Sequence, residues 1–453
     1  MLLLLVEQIY ISRTTTGKDS ISLAEKLERE SATMSKSETW YNMIHKVHPS
    51  LRTVNEKEYE PSLVSIGPYH HGSQNLRGME KYKVRMLHLL LVRTQKSLEN
   101  YMELMRGIKE EALRYYASDI KMDDGDKFAE MMILDGCFIL EFLRNMQKKR
   151  DKSVFNLNLL MPDIFRDLVL FEHQLPLSVL SKLFELTKAE TETFAQLINV
   201  FVKHFCVHYI GEKEEPSLDT DKIKNSPHLL HLVYMTCKKS TTRRKPKKTN
   251  VGDIKLLIKS DNERNFQFIK SATTLEEFGV VFKKAEKGAK LRDITFTKND
   301  GVLKIPQLMI SDRTETIFRN LVAYEKYIGN SDFTDYLFFM DCLINSPKDV
   351  ELLRHRGIIE NMLGDDEYVS LMFNKICSYV VTEISTDSDF DELCQDINEY
   401  SARRLNKWMA KLWHQYFSSP WSSISVFAAL VLLGLTTVQT MFSIISYTNP
   451  KQS

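Results

Sequence analysis

SVFAALVLLGLTTVQTMFSII, Ser425 to Ile445, is the stretch that decides how this chain is built. It sits in a longer gap, between Lys411 and Lys451, that holds no Asp, Glu, Lys or Arg. As a helix its 21 residues reach about 30 Å, the thickness of a bilayer's hydrocarbon core. Eleven of them are Leu, Ile, Val or Phe, which together favour insertion by on the order of 3 to 7 kcal/mol. Gln439 and the threonines offset part of that. Three of the four tryptophans, Trp408, Trp413 and Trp421, fall just before the run, and Tyr447 follows it. Aromatic rings at both ends are what interfacial anchoring requires. A transmembrane helix over 424–445 is therefore expected, with the lipid bilayer as its partner. A core helix of a soluble protein would not need so long a charge-free gap.

Arg403, Arg404, Lys407 and Lys411 precede the span, and only Lys451 follows it. Basic residues stay on the cytosolic side, so the large N-terminal part is expected there, with a single pass through the membrane. The eight residues 446–453 make a short tail, as in a tail-anchored protein. The opening MLLLLVEQIYI does not read as a signal peptide. Its apolar run ends at Glu7, no Lys or Arg precedes it, and no Ala-x-Ala-like site follows. No asparagine starts an Asn-x-Ser/Thr sequon. The six cysteines, Cys137, Cys206, Cys237, Cys342, Cys377 and Cys394, are widely spaced and read as free thiols of a reducing compartment. Plasma membrane and endoplasmic reticulum are not distinguished. Ser425 and Ala429 form a small-x-x-x-small pair through which two anchor helices can approach as a homodimer, although such residues are also ordinary in a lipid-facing helix.

The rest of the 453 residues carry 61 basic and 60 acidic side chains, for a net charge of +1. This near-neutrality speaks against a dedicated nucleic-acid binder, and 43% apolar residues speak against disorder. Sparse Gly (16) and Pro (12) disfavour an all-β chain. The reading is mainly α: a multi-helix soluble domain, one small β element of two or three short strands, and the C-terminal helix.

Along the chain, residues 1–40 read as a variable arm with one helix near Ile21 to Met34. Residues 41–210 read as a helical lobe. It contains an irregular segment from Pro49 to Gly78, one long helix from Met79 to Tyr116, and helices over Phe128–Met146, Asp163–His173, Leu177–Leu186 and Thr191–Tyr209. Residues 211–250 read as a polar and basic linker with a short helix. Its run KKSTTRRKPKK is either a solvated loop, a surface for anionic lipid, or a localisation signal. Residues 251–417 read as a second lobe. Val280–Lys283, Ile294–Thr297 and Val302–Ile305 are its strands, with Asn299-Asp300-Gly301 turning between the last two. Asp312 caps a helix through Tyr327, and further helices run near Phe333–Ile344, Val350–Leu353, Glu367–Ser378 and Asp391–Phe417.

The chain lacks the Gly-rich phosphate loop, the dinucleotide fingerprint, the nucleophile elbow and His-Glu-x-x-His. No cofactor or metal is indicated. His204 and His208 share a helix face with Cys206 between them, but no third ligand is near in sequence. The polar residues that stand out interrupt apolar runs. Asp135 and Glu141 lie in MMILDGCFILEFL, and Glu172 and His173 lie in LVLFEHQLPL. Buried acids cost several kcal/mol unless bonded. They form either a structural network that sets packing or a site working as acid and base, and the structural reading is the simpler.

Several of these segments together resemble a plant family, the domain of unknown function 247 family. They are YEPSLVSIGPYHHG (Tyr59 to Gly72) with Met79, Glu80 and Lys83, LDGCFILEF, DLVLFEHQLPL and HLLHLVY. EFGVVFKK, IPQLMISDRTETIFRNLVAYE, FMDCLINSPKDVELL and YFSSPWSSIS follow. Order and spacing agree from about Ile44 to Tyr447. The resemblance implies a plant protein with one C-terminal membrane helix and no established enzymatic activity or agreed catalytic residues. Some grass members are implicated in self-incompatibility. The expected function is therefore a membrane-anchored recognition or signalling protein that binds another protein. The alternative is an enzyme of unrecognised class built on Asp135, Glu141, Glu172 and His173.

Overall fold

The computed structural model describes residues 43–117, 120, 125–147, 159–210, 217–238, 268–377, 389–403 and 420–448. The expected helix near Ile21, the basic run beyond Lys238, and Trp408 and Trp413 lie outside them.

The chain is mainly helical. Arg77–Thr94 (α1) and Leu98–Leu113 (α2) lead to Gly125–Gln147 (α3). Met161–Leu168 (α4), Leu177–Thr187 (α5), Phe194–Phe205 (α6) and Leu229–Cys237 (α7) follow. α3 is the hub, and α1, α2, α5 and α6 all pack on it. Its stretch from Met131 to Arg144 is buried nearly all round, as a helix apolar on every face must be. Gly136 lets α5 come close, since a Cβ there would lie 2.4 Å from a methyl of Leu183.

Three sequence expectations need correction here. The long helix from Met79 to Tyr116 is two helices, because Gln95 takes a left-handed conformation (φ 53°) and Ser97 with Asn100 restarts the chain through a capping box. The helix expected through His173 ends at Leu168, where the chain turns to feed its backbone groups to the Gln174 and Asn320 side chains. The helix expected through Tyr209 becomes a π-turn at Cys206–Ile210.

The second half begins, among the described residues, with Ala272–Glu277 (α8) and holds five short strands there. Val281–Lys284 (β1), Thr295–Thr297 (β2) and Val302–Ile305 (β3) make one sheet in the order β1-β3-β2. β2 and β3 form the expected hairpin, with Gly301 at positive φ, and β1 joins β3 in parallel. A second sheet pairs Leu308–Ile310 (β4) with Ile359–Asn361 (β5) in parallel, which had no local sequence signal. The helices are Thr314–Ile328 (α9), Asp332–Leu343 (α10), Pro347–His355 (α11), Asp366–Ile376 (α12) and Asp389–Ala402 (α13). None of the six cysteines forms a disulfide.

α9 ties the two halves together. Every residue from Thr314 to Glu325 is buried, six polar ones among them. Asn320 is the clearest tie. Its Oδ1 accepts from the Phe171 N–H (2.9 Å) and its Nδ2 donates to the Glu58 carbonyl (2.8 Å). Glu325 accepts from the Tyr234 hydroxyl (2.9 Å), and the Tyr327 hydroxyl donates to the Lys46 carbonyl (2.7 Å). Buried apolar side chains from Ile44 to Ile397 form one continuous core around these bonds.

Pro420–Thr448 (α14) is different in kind. Its window Phe427–Ile444 is long and apolar enough to cross a membrane and buries nothing against the rest of the chain. Trp421 and Tyr447 fall in its first and last turns.

Asn320→Leu keeps the volume but orphans two buried backbone groups. At about 1–3 kcal/mol per group it is expected to lower the urea midpoint sharply, a loss that Thr53→Leu at the surface does not produce.

Candidate functional site

The segment from Tyr59 to Gly72 runs through the first half without helix or strand, yet Tyr59, Val64, Ser65 and Ile66 are buried. Buried backbone groups need partners, and here side chains supply them. Asp167, near the end of α4, accepts from the N–H groups of Ser62 (3.0 Å), Leu63 (2.8 Å) and Val64 (3.0 Å). His173 Nε2 accepts from the Ile66 N–H (2.7 Å). Asp135 Oδ2, on α3, accepts from the Gly67 N–H (2.9 Å). Lys83, on α1, donates to the Ser65 carbonyl and to Asp135 Oδ1. Arg166 donates to the carbonyls of Glu60 and Lys57 (both 2.9 Å). Side chains from three helices and one loop thus stand where a neighbouring strand would be. Gly67 is required at its place: φ is 74°, and a Cβ would lie 3.1 Å from the Gln174 carbonyl oxygen.

Glu172 anchors the next stretch outward. It accepts from the Val47 N–H (2.5 Å), from Arg52 Nη2 (2.7 Å) and from His70 Nε2 (3.1 Å). Burial pushes its pKa up, but these three donors more than offset burial and hold it below the usual glutamate value. Burial would likewise lower the pKa of the fully enclosed Lys83, and the Asp135 and Glu80 carboxylates beside it reverse this, so Lys83 stays charged.

His173 is fixed as a neutral ring by geometry. A backbone N–H can only donate, so Nε2 is the acceptor for Ile66. Nδ1–H then donates to the Asp167 carbonyl (2.9 Å). Burial, with His70 adding to it, lowers its pKa well below the ordinary histidine value.

Asp135, Glu172 and His173 are therefore brought to one segment. Glu141 is not. It lies six residues beyond Asp135 on α3, about 9 Å along the axis, and pairs with Arg93 and Arg144 (both 2.6 Å) on the side facing α5. Arg144 continues this second network to Glu192 (2.9 Å). None of the four lines the cleft of about 550 Å³ between Glu56–Ser62 and Asp312–Thr316, nor the smaller one of about 370 Å³ beside Asp341. In the larger cleft Arg313 pairs with Asp163 (2.8 Å) and Arg166 with Asp167 (3.0 Å). The His204 and His208 rings sit 4.3 Å apart, and no group of three His, Cys, Asp or Glu suited to a metal occurs among the described residues. The network's chemistry is donation and acceptance of fixed hydrogen bonds.

Sequence reasoning missed Asp167, Lys83, Arg166 and Asn320 as parts of this system. A signal for Asp167 existed. An acid in the last turn of a helix opposes the helix dipole, so it needs donors from elsewhere.

A profile described as "Plant protein of unknown function" (DUF247) matches residues 44–435. The chain belongs to the DUF247 family. UPF0481 protein At3g47200 of Arabidopsis thaliana is 30% identical over 452 residues, covering 96% of this chain and 91% of the relative. Putative UPF0481 protein At3g02645, from the same plant, is 24% identical over 482 residues, covering 89% and 90%. No solved structure matches the chain. The DUF247 match takes in the whole strap of Tyr59 to Gly72, its side-chain partners, and the first part of the C-terminal apolar helix.

Two outcomes follow for this family fold. Asp167→Ala strips three backbone N–H groups of their acceptor and is expected to cost about 3 kcal/mol or more, while Asp167→Asn, which keeps one acceptor oxygen, costs less. Circular dichroism during urea titration reads both. The second concerns pH. Burial lowers the pKa of His173 and His228 well below normal and of His204 and His231 to about 4. The unfolded chain takes up these protons near pH 6.5 and the folded chain does not, so stability is present above about pH 6.5 and lost as pH falls toward about 4. Each histidine contributes up to about 1.4 kcal/mol per pH unit in that window. A urea midpoint that stays level from about pH 7 to 5 would contradict it.

Proposed function

We propose that this plant protein is held on a membrane by its C-terminal helix and acts by binding another protein, its folded part facing the cytosol. The observation that carries the reading is α14. A helix whose eighteen-residue central window is strongly apolar on average and buries nothing in the fold has no stable place in water. Lipid is the medium that removes that surface. The excess of basic residues before it, Arg403, Arg404, Lys407 and Lys411 against Lys451 after, favours a cytosolic folded domain.

A recognition role is supported by how the ionisable side chains are used. Asp135, Glu172, His173 and Lys83 are each committed to holding backbone or one another, with none aimed into a cleft. Such a scaffold holds a surface in a fixed shape. A signalling role of the self-incompatibility kind would use such a surface, and it belongs to the same proposal.

Protease treatment of sealed vesicles tests the orientation. Digestion of the folded domain from the cytosolic side is expected, and full protection overturns it. Leu435→Arg, near the middle of the span, disfavours insertion by about 2.5–3.5 kcal/mol and is expected to move a large share of the chain to the supernatant after alkaline carbonate washing. Partner binding is read by quantitative affinity capture from detergent-solubilised plant membranes. Recovery of no reproducible protein counts against the recognition reading.

A further inference from the structure

α1 carries an unusual outward face. Outside α14, eleven large apolar side chains are exposed among the described residues, and five of them fall between Tyr82 and Leu98. Val84 (56% exposed) and Val92 (65%) are the most exposed on α1. The turn of the helix places Arg77, Lys81, Val84, Arg85, His88 and Val92 within an arc of about 100°. Leu89 and Tyr82 flank that arc. No acidic residue is exposed on this helix, because Glu80, its one acid, is half-buried and paired with Lys83 (2.6 Å). The opposite face, Met79, Lys83, Met86, Leu87 and Leu90, is buried against the fold.

We propose that this face of α1 lies on the surface of an anionic bilayer. The inference rests on the membrane anchoring argued above. Basic side chains interleaved with apolar ones, without an acid, make a helix face that suits lipid headgroups: the cations meet anionic lipid and the apolar side chains enter the headgroup boundary. A protein partner would have to be both acidic and apolar over the same arc. A leaflet presents both properties everywhere, and an anchored domain stays within reach of it, so a modest affinity suffices. Docking would give the folded domain a fixed side toward the membrane. The remaining surface would then be the side offered to other proteins.

The test uses the full chain reconstituted in vesicles of phosphatidylcholine alone or with added phosphatidylserine. A fluorophore is attached at Val84→Cys, with unsubstituted protein giving the background from the six native thiols, and nitroxide-bearing lipid is the quencher. Quenching is expected with phosphatidylserine and is expected to disappear in phosphatidylcholine alone or at high salt. Arg77→Glu with Lys81→Glu weakens docking by at least about fivefold per basic side chain removed, with helical content unchanged. Equal quenching in both lipids overturns the proposal, as does no quenching in vesicles that retain the chain. Shielding that grows with protein concentration in detergent also overturns it and points to a second copy. Flotation after carbonate washing reads the anchor separately. A chain lost from the vesicles defeats the anchoring reading, while phosphatidylserine-dependent quenching before the wash still supports the docked face.

Discussion

The chain from Ser62 to Gly67 dives into the fold, buried from Val64 onward, without a sheet or helix of its own, and that constraint organises the first half of the fold. Unbonded N–H groups there would cost about 1–3 kcal/mol each. Asp167, His173 and Asp135 remove that cost for five of the six residues. Each acceptor sits on a different piece of chain, so α3, α4 and the loop after α4 must all be in place before the strap can settle. Lys83 adds α1 to the same arrangement through the Ser65 carbonyl. The polar residues that look costly inside apolar helices are thus the ones that join those helices to one another.

A second polar system does the same between the halves of the molecule. Asn320 reaches Phe171 and Glu58, while Glu325 reaches Tyr234 and also caps the start of α10 through the N–H groups of Phe333 and Thr334 (both 2.7 Å). From Thr314 to Glu325 α9 is buried, and Asn320 and Glu325 are tolerable there because each has partners of the right kind. α14 follows the opposite logic. It satisfies its backbone internally and presents a mostly apolar surface outward over Phe427–Ile444, a window long and apolar enough to cross a membrane.

Much of this was legible in the sequence, because helical spacing and the Asn-Asp-Gly turn are local signals. Phe128–Met146 and Leu177–Leu186 fall within three residues of the ends of α3 and α5. The break at Gln95 was hidden, since apolar spacing continues across it and neither Gly nor Pro marks it. The β4–β5 pair was hidden too, since strands of three residues about fifty apart carry no periodicity. Asp135, Glu172 and His173 stood out as polar residues in apolar runs. Their grouping did not, because it depends on a strap whose own residues show no regular pattern. Glu141 looked equivalent in sequence and belongs to another network, because a helix turns it toward α5.

The strap is gripped through its main chain, and this bears on how such a segment can diverge. Side chains at 63, 64 and 66 are not what the acceptors read, so exchanges there are limited by space, whereas the Ser62 hydroxyl also donates to Asp167 (3.3 Å). A proline is the one residue that deletes the gripped atom. Pro61 and Pro68 stand immediately outside the window on either side, where no N–H is asked for. The main-chain grip accordingly tolerates exchanges at 63, 64 and 66, but neither a proline moved inward nor the loss of Gly67.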